Sequence, residues 1–297
     1  MEAKEPQYSE ISILTHAEAV ESLSELLLSL GAKGIAEERR PLQVRITAYL
    51  LADETAEQPV GAVRERLSAL EKEGLRIGPG TISVRPVAAQ SWGELWKEQF
   101  EIQHIAPGLV IAPSWEDYQP QGGECVVVLE SGAAFGTGSH ATTRLCLRGL
   151  VEYIRPGDRV ADVGCGTGIL AISAALLGAH EVVATDNDPA VVPVARQNIK
   201  RNAVTEQVQV IEADLLPSSC GEFDLVVCNI VAEQAIRLAG DLRAILSRGG
   251  RFICSGFQAG AVPMVEDALV RGGLRMVATT GEEGWAACVA IRPGIRS

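Results

Sequence analysis

The sequence predicts an α/β protein in which a doubly wound, mostly parallel sheet follows a small ferredoxin-like α+β domain. The length of 297 residues is sufficient for about two domains. From about residue 159, strand-like runs alternate with helical stretches, which is typical of a parallel sheet with helices on both faces. Residues 1–88 instead follow the order β-α-β-β-α-β, the split βαβ pattern.

The front domain, residues 1–88, shows each element of that pattern in turn. Thr15 and Glu18 have the spacing of a capping box before a first helix, which ends at Gly31. Two strands then flank a turn around Pro41, and a second helix and a closing strand complete the domain. The apolar positions behind these predictions are Ile11 and Ile13; Val20, Leu23, Leu27 and Leu30; Val44, Ile46, Ala48 and Leu50; Val63, Leu67 and Leu70; and Ile82 and Val84.

Residues 89–101 are predicted to form a helical linker, and residues 102–297 form the second domain. Trp92, Trp96 and Phe100 share one face of the linker helix. They could grip a substrate, although packing against a neighbouring domain is the interpretation we favour. The strand-like runs of the second domain are 109–112, 125–129, 159–163, 181–186, 208–211, 224–228 and 251–255, and its helical stretches include 189–202 and 232–246.

The composition excludes several classes of protein. Hydrophobic residues make up 47% and charged residues 22%, which argues against disorder of the whole chain. No run approaches the roughly 18 apolar residues of a membrane helix, and the acidic start has no apolar segment of a signal peptide. Seven cysteines without a C-x-x-C pair argue against disulfides and a zinc site. We therefore expect a cytoplasmic protein without a metal.

The charge balance favours a basic partner. The net charge of −12 opposes direct binding of nucleic acid, whose partners carry basic patches. An acidic surface suits a basic protein. The alternative is that the charge only keeps the protein soluble.

The glycine-rich segment Asp162-x-Gly164-x-Gly166-x-Gly168 leaves a strand and opens a helix, and so predicts a cofactor site. Glycines there let the backbone turn tightly and approach a ligand. A dinucleotide is one candidate, but such a pattern alone is weak evidence. The carboxylate of Asp162 would repel a pyrophosphate and suits a ligand with cationic groups.

Two further carboxylates follow the next two strands. Asp186 lies 22 residues beyond Gly164, close to the spacing of an acidic residue that binds ribose hydroxyls. Asp214 could reach an adenine edge, or it could be a turn or capping residue.

These residues resemble the seven-stranded class of S-adenosylmethionine-dependent methyltransferases. The segment Gly284-Trp-Ala-Ala-Cys-Val-Ala-Ile is similar to the final antiparallel strand of that fold. A narrower resemblance, from about residue 90 to the end, is to the methyltransferase family that modifies ribosomal protein eleven of the large subunit. The sequences that carry it are Ala134-Phe135-Gly136-Thr137-Gly138-Ser-His140-Ala-Thr142-Thr143, Asn229-Ile-Val-Ala, Ser91-Trp92 and Ala112-Pro-Ser-Trp115. One departure is Glu130-Ser-Gly, where the family usually has Asp-Pro-Gly.

The resemblance implies S-adenosylmethionine as cofactor and a basic ribosomal protein of the large subunit as substrate. It implies cofactor contacts from Thr143, Gly164, Asp186 and Asn229. The cofactor-binding residues that we predict in addition are Asp162, Gly166, Asp214, Phe135, Thr137 and Gly138.

Asn229 is the predicted catalytic residue. Its side-chain carbonyl could accept hydrogen bonds from an amine and point the nitrogen lone pair at the methyl group; alternatively, Asn229 caps the helix that starts near residue 232. Residues 135–143 could fold over the cofactor as a lid, or form an ordinary hairpin turn. His140 could act as a base or a donor, although most single histidines do neither.

The sequence therefore predicts a protein N-methyltransferase acting on lysine side chains or an N-terminal α-amine. Alternatives are methylation of another protein or a small amine, a nicotinamide-dependent dehydrogenase, and a noncatalytic cofactor-binding module. The front domain is expected to select the protein substrate, or else to stabilise the second domain or mediate dimerisation.

Overall fold

The computed structural model describes residues 8–32, 35–40, 43–51, 57–72, 74–87, 101–130 and 138–294. The chain divides into two compact units, Met1–Gln99 and Phe100–Ser297. Residues 89–100 of the predicted linker helix, with Trp92, Trp96 and Phe100, lie outside the described residues, so this helix stays a prediction.

The first unit is a four-stranded antiparallel sheet with two helices. Its elements are β1 (Tyr8–Thr15), α1 (Val20–Ser29), β2 (Ile35–Arg40), β3 (Gln43–Leu51), α2 (Glu57–Lys72) and β4 (Thr81–Val87). The sheet order is β2-β3-β1-β4, so β1 lies between β3 and β4. Alternate residues of the strands, such as Ile11, Ile13 and Ile46, pack with Leu23 and Leu67 of the helices. The predicted element order is therefore confirmed.

The predicted capping box is wrong. His16 is the N-cap of a short 3-10 turn, Ala17–Ala19, that precedes α1, and its ring accepts a hydrogen bond from the Glu18 amide. The Thr15 hydroxyl donates instead to the Ile77 carbonyl at 2.9 Å. The Glu18 carboxylate accepts three hydrogen bonds from Arg76, from its amide and its Nε at 2.8 Å and from its Nη2 at 2.5 Å. Long-range partners thus replace the local reciprocal pair.

The second unit begins with a small three-stranded sheet. Its strands are β5 (Gln103–Ala106), β6 (Leu109–Pro113) and β7 (Cys125–Leu129). β6 pairs antiparallel with β5 and parallel with β7. All five residues of β6 are buried, because this strand is central.

A seven-stranded sheet forms the centre of the second unit. Its elements are α3 (Ala141–Tyr153), β8 (Arg159–Val163), α4 (Ile169–Leu176), β9 (Glu181–Asp186), α5 (Val191–Arg201), β10 (Val208–Glu212), β11 (Phe223–Asn229), α6 (Ala232–Ala239), α7 (Leu242–Ile245), β12 (Leu246–Gln258), α8 (Val262–Arg271), β13 (Arg275–Glu282) and β14 (Trp285–Ile291). The strand order is β10-β9-β8-β11-β12-β14-β13. β14 runs antiparallel to both neighbours, as predicted for the final strand.

Helices cover both faces of this sheet. Helices α3, α4 and α5 contribute to one apolar core, and α6, α7 and α8 contribute to the other. Apolar strand residues such as Val227 and Val226 point alternately into the two cores. The doubly wound parallel architecture predicted from the alternation of strands and helices is confirmed, and it places the ends of β8, β9 and β11 at one edge.

The predicted helix over 232–246 is interrupted. At Gly240 and Asp241 the amides bond to carbonyls three residues back, those of Arg237 and Leu238, so the α-helical ladder ends. The chain then continues as the separate short helix α7.

The described residues form neither a membrane-spanning helix nor a metal-binding cluster. None of the helices in this part of the chain is long and apolar enough to span a membrane. The same residues contain no group of three or more histidine, cysteine or carboxylate side chains that could hold a metal ion.

Candidate cofactor and active site

The predicted glycine turn follows β8 directly. Gly164, Gly166 and Gly168 have φ values of +74°, +54° and +82°, in the region that side-chain-bearing residues rarely adopt. Gly168 is the N-cap of α4. A Cβ atom at Gly164 would also lie 2.5 Å from Cγ2 of Ile230, so this position has no room for a side chain.

Neighbouring strands hold the turn in place. The amides of Gly164 and Cys165 donate to the Thr185 carbonyl at 2.8 and 2.9 Å. The Gly166 amide donates to Oδ2 of Asp186 at 2.9 Å. The turn after β8 and the end of β9 are therefore one hydrogen-bonded structure.

Asp162 lies beneath the turn and is fully buried. Its Oδ2 accepts a hydrogen bond from the Ala171 amide, in the first turn of α4, at 2.9 Å. Its Oδ1 is buried and has no hydrogen-bond partner among the described residues. Burial is the main cause that raises the pKa of Asp162 to about 7. A cation or additional donor beside Oδ1 would stabilise the charged carboxylate.

Asp186 lines a cleft between the ends of β8, β9, β10 and β11. Its Oδ1 accepts from the Asp188 amide at 3.0 Å, in addition to the Gly166 amide on Oδ2. A carboxylate has about four acceptor positions, so capacity remains for ligand hydroxyls. Asp214 lines the same cleft and forms an exposed ion pair with Arg237 of α6. The lining residues are Val163, Gly164, Asp186, Asn187, Ala213, Asp214, Leu215, Ile230 and Gln234.

Asn229 ends β11 and is tied to α3. Its Nδ2 donates to the Thr143 hydroxyl at 3.2 Å, while its Oδ1 is buried and has no partner among the described residues. The N-cap of α6 is Val231, with no side-chain cap. The alternative interpretation of Asn229 as a helix cap is therefore wrong, and its carbonyl oxygen remains available as an acceptor.

Ile230 fixes the segment after Asn229. Its amide donates to the Ser255 carbonyl at 3.0 Å. A Cβ atom at Gly256, where φ is +102°, would lie 2.3 Å from the Ile230 carbonyl oxygen. Ile230 is thus held between two glycines, Gly164 on one side and Gly256 on the other.

His140 is the N-cap of α3. Its Nδ1 lies 2.7 Å from the Thr142 hydroxyl and 3.4 Å from the Thr142 amide. The His140 ring meets the Trp285 ring edge to face, with 4.7 Å between centroids. The structure thus gives His140 a structural role at the start of the helix that carries Thr143.

The predicted lid is only partly described. Phe135 and Thr137 lie outside the described residues. Gly138 is buried, with φ of +87°, and a Cβ atom there would lie 3.4 Å from Ile169 at the start of α4. The middle of the predicted lid therefore lies beside the helix that follows the glycine turn, and its last three residues belong to α3.

Asn198 is a supporting residue that the sequence interpretation missed. It is buried on α5, where its Nδ2 donates to the Thr167 carbonyl at 3.0 Å and its Oδ1 accepts from the Glu130 amide at 3.1 Å. Asn202, four residues later, bonds in the same way to both backbone groups of Val128. The available signal was two asparagines one turn apart on the inward face of a helix.

The residues present fit a cofactor that carries a ribose and a cationic amino acid group. Asp162 Oδ1 and Asn229 Oδ1 are buried acceptors without described partners, and β8 and β11 pair directly. Such orphaned acceptors cost free energy unless a ligand supplies donors. The thiols of Cys165 and Cys228 stay protonated, because burial raises the pKa of both.

Comparison with known proteins gives one consistent result. The family model described as ribosomal protein L11 methyltransferase (PrmA) matches residues 7–293. The ribosomal protein L11 methyltransferases of Brevibacillus brevis and Moorella thermoacetica are each 38% identical to this chain. The alignments cover 96% of this chain and 99% of the Brevibacillus protein, and 94% of this chain and 95% of the Moorella protein.

A solved structure agrees with these relatives. The crystal structure of a ribosomal protein L11 methylase from Lactobacillus delbrueckii subsp. bulgaricus is similar, with a TM-score of 0.61 and 32% identity. The match covers 65% of this chain and 98% of that chain. The resemblance seen in the sequence motifs is confirmed, because a chain matched over 7–293 with these relatives belongs to the ribosomal protein L11 methyltransferase family.

Proposed function

We propose that this chain transfers methyl groups from S-adenosylmethionine to amines of ribosomal protein L11, either lysine side chains or the N-terminal α-amine. Family membership makes it an S-adenosylmethionine-dependent protein methyltransferase. The substrate protein comes from the names of the relatives. We propose an amine as the methyl acceptor because the buried carbonyl oxygen of Asn229 has no partner among the described residues.

Asn229 is suited to orient an amine. The bond from its Nδ2 to the Thr143 hydroxyl fixes the amide plane and leaves Oδ1 to accept an amine N–H. An amine held in this way directs its lone pair along a fixed line. When bound, S-adenosylmethionine supplies an electrophilic methyl group, and alignment is then the main requirement for transfer.

Burial also helps to supply a neutral amine. Only the unprotonated amine is nucleophilic, and a lysine has an ordinary pKa of about 10.4. An apolar environment lowers the pKa of a lysine, because it disfavours the charged form. Asn229 is half-buried and Thr143 is buried, so an amine held beside them is partly withdrawn from water.

In this proposal, each residue at the cleft binds a different part of the cofactor. Asp186 accepts the ribose hydroxyls, and Gly164 and Gly166 let the backbone approach the ligand. The buried carboxylate of Asp162 favours the cationic part, and Asp214 lies where an adenine edge can reach it. Support comes from Gly164, Asp186 and Asp214, which line one cleft. The Gly166 amide is bonded to Asp186, and Asp162 is bonded to the start of the helix that follows the turn.

The segment with Phe135, Thr137 and Gly138 covers the bound cofactor in this proposal. It is supported by the position of Gly138, where an added Cβ would lie 3.4 Å from Ile169 at the start of α4. A cover at this position would exclude water from the transferring methyl group.

The first unit is proposed to be a ferredoxin-like domain that docks the protein substrate. Its element order and its sheet order, β2-β3-β1-β4, support that fold. Residues 1–88 carry 10 basic and 14 acidic side chains, a net charge of −4, which suits a basic ribosomal protein.

A cytoplasmic location is consistent with such a substrate and with seven cysteines that are all free.

The decisive experiment is methyl transfer to purified ribosomal protein L11, followed by mass spectrometry of the modified amines. We expect modified amines with the full-length chain. Asn229→Ala should lower kcat by about 100-fold while cofactor affinity changes much less, because orientation matters most in the transition state. Gln209→Ala, on the exposed face of β10, is the matched amide control and should behave as the parent chain.

Other results would contradict parts of the proposal. Methylation of only another protein or of a small amine would reject L11 as the substrate. A normal kcat for Asn229→Ala, with a loss of cofactor affinity alone, would make Asn229 a cofactor ligand without an orienting role.

A further inference from the structure

Three arginines line a cavity of about 270 Å³ at the other edge of the seven-stranded sheet. Arg243 lies on α7, Arg248 near the start of β12, and Arg292 directly after β14. Because β12 runs parallel to β11, its start lies at the edge opposite to Asn229. The cavity, which we call the arginine pocket, is therefore separate from the cofactor cleft. Its lining is completed by Gly273, Pro293 and Gly294.

The backbone around the arginine pocket is well fixed. The Gly249 amide donates to the Arg292 carbonyl, and the Arg292 amide donates to the Gly250 carbonyl, both at 2.9 Å. The guanidinium of Arg243 lies against Gly273, where an added Cβ would be 3.3 Å from its Nη1. The arginines thus extend from a rigid framework formed by a strand pair and a glycine turn.

The positive charge in the arginine pocket is only partly balanced. Arg292 donates to the Leu246 carbonyl and lies 3.5 Å from a Glu222 carboxylate oxygen. Within the described part of the chain, Arg243 and Arg248 have no ion-pair partner. Three like charges around one cavity repel each other, and this occurs in a chain whose net charge is −12. A bound anion would remove this repulsion.

The chemistry of the lining selects the kind of anion. Guanidinium groups bind phosphate with paired N–H donors and remain charged at any physiological pH. The other lining residues are two glycines and one proline, so no aromatic ring is present on which a base could stack. A water molecule takes about 30 Å³, so the cavity has room for more than one phosphate group.

We propose that the arginine pocket, formed by Arg243, Arg248 and Arg292, is a binding site for phosphate groups. The ligand is recognised through its oxyanions, without recognition of a base. This site lies outside the methyl-transfer site and does not rest on the proposed function. A free phosphate or pyrophosphate and the backbone of an RNA strand both supply this chemistry.

Calorimetric titration of the full-length chain with inorganic pyrophosphate tests the proposal. We expect saturable binding that weakens about tenfold or more in Arg243→Gln and in Arg248→Gln, since hydrogen bonds to charged groups have this magnitude. Arg64→Gln removes one positive charge from an exposed position on α2 and is the matched control. It should leave pyrophosphate binding unchanged, and S-adenosylhomocysteine should bind equally to all four proteins.

A second titration, with a short single-stranded RNA, identifies the source of the phosphate. The site would be assigned to a nucleic-acid backbone if RNA binds, if pyrophosphate displaces it, and if both pocket substitutions weaken the binding of RNA. Pyrophosphate binding without RNA binding would assign it to a free phosphate compound. The proposal is overturned if pyrophosphate shows no saturation up to about 10 mM, or if the two pocket variants bind it as Arg64→Gln does.

Discussion

Asp186 both holds the glycine turn in place and lines the adjacent cleft, which is the candidate cofactor site. Asp186→Ala removes the proposed partner of two ribose hydroxyls and also the acceptor for the Gly166 amide. We expect affinity for S-adenosylhomocysteine to fall about tenfold to a hundredfold, because hydrogen bonds to a charged group contribute about 1.5–3 kcal/mol. Calorimetry measures this loss. Asp241→Ala, an exposed aspartate without a side-chain capping bond, is the matched control. Unchanged affinity in a folded Asp186→Ala protein would reject the assignment.

Asp162 predicts a dependence on pH. Burial raises its pKa from 3.8 to about 7, so between these values the folded protein holds a proton that the unfolded chain has released. The contribution of Asp162 to the free energy of unfolding therefore decreases as pH rises from about 4 to about 7, and it stays constant above. Asp162→Asn should remove this decrease in urea unfolding experiments.

The same carboxyl should affect cofactor binding in the opposite direction. A cationic ligand favours the ionised form of Asp162, so affinity for S-adenosylhomocysteine should rise across the range in which the buried group titrates. In Asp162→Asn the affinity should not change with pH. If both proteins show the same pH dependence, Asp162 does not face the cationic group.

At the scale of elements, α5 supports the glycine turn through Asn198. Asn198→Ala leaves the Thr167 carbonyl and the Glu130 amide without their side-chain partner. We expect a loss of about 1–3 kcal/mol in the free energy of unfolding, the cost of unsatisfied buried groups. The neighbouring Gln197→Ala removes only an exposed bond to Glu130 and should cost much less. Equal losses in the two variants, measured by urea unfolding, would show that α5 does not hold the turn.

The elements themselves could be predicted well from the sequence, because their apolar periodicity reports directly on burial. The runs at 159–163 and 181–186 coincide with β8 and β9. The sequence could not predict where a distant residue replaces a local hydrogen-bond partner. Glu18 has a local target in a capping box, yet its carboxylate binds Arg76, 58 residues later. Local spacing carries no information about such a partner.

In the candidate site, too, contacts between residues far apart in the sequence could not be predicted. The glycine turn and Asp186 follow from a fixed spacing along βαβ elements, and both lie on one cleft. The bond between Asn229 and Thr143 joins residues 86 positions apart. Only the packing of α3 against the sheet brings these two residues together, and it is the N-cap at Val231 that excludes the helix-cap interpretation of Asn229.

At the scale of the whole molecule, we expect the second unit to bind the cofactor and transfer the methyl group, and the first unit to bind the protein substrate. Residues 100–297 contain every described residue of the candidate cofactor site, and this unit is compact by itself. A chain of residues 100–297 should bind S-adenosylhomocysteine as the full-length protein does. Its kcat/KM for intact ribosomal protein L11 should fall at least about tenfold, equivalent to about 1.4 kcal/mol of lost docking.

A short lysine peptide provides the control for this truncation. The shortened chain should methylate the peptide as fast as the full-length protein does, because the peptide has no surface that the first unit could dock. An undiminished kcat/KM for the intact ribosomal protein would refute the docking role of residues 1–99.

The position of Ile230 between Gly164 and Gly256 restricts which substitutions these two glycines can accept. A methyl group added at either glycine would collide with Ile230, at 2.5 Å from its side chain or 2.3 Å from its carbonyl oxygen. Ile230 directly follows Asn229, so each collision would displace the residue proposed to aim the amine as well as the turn that faces the donor. In a saturation mutagenesis library, Gly164 and Gly256 should therefore tolerate no replacement, although 92 positions separate them in the sequence. A smaller residue at 230 should relieve the collision at Gly164, which involves the Ile230 side chain, but it should not relieve the collision at Gly256, which involves the Ile230 backbone.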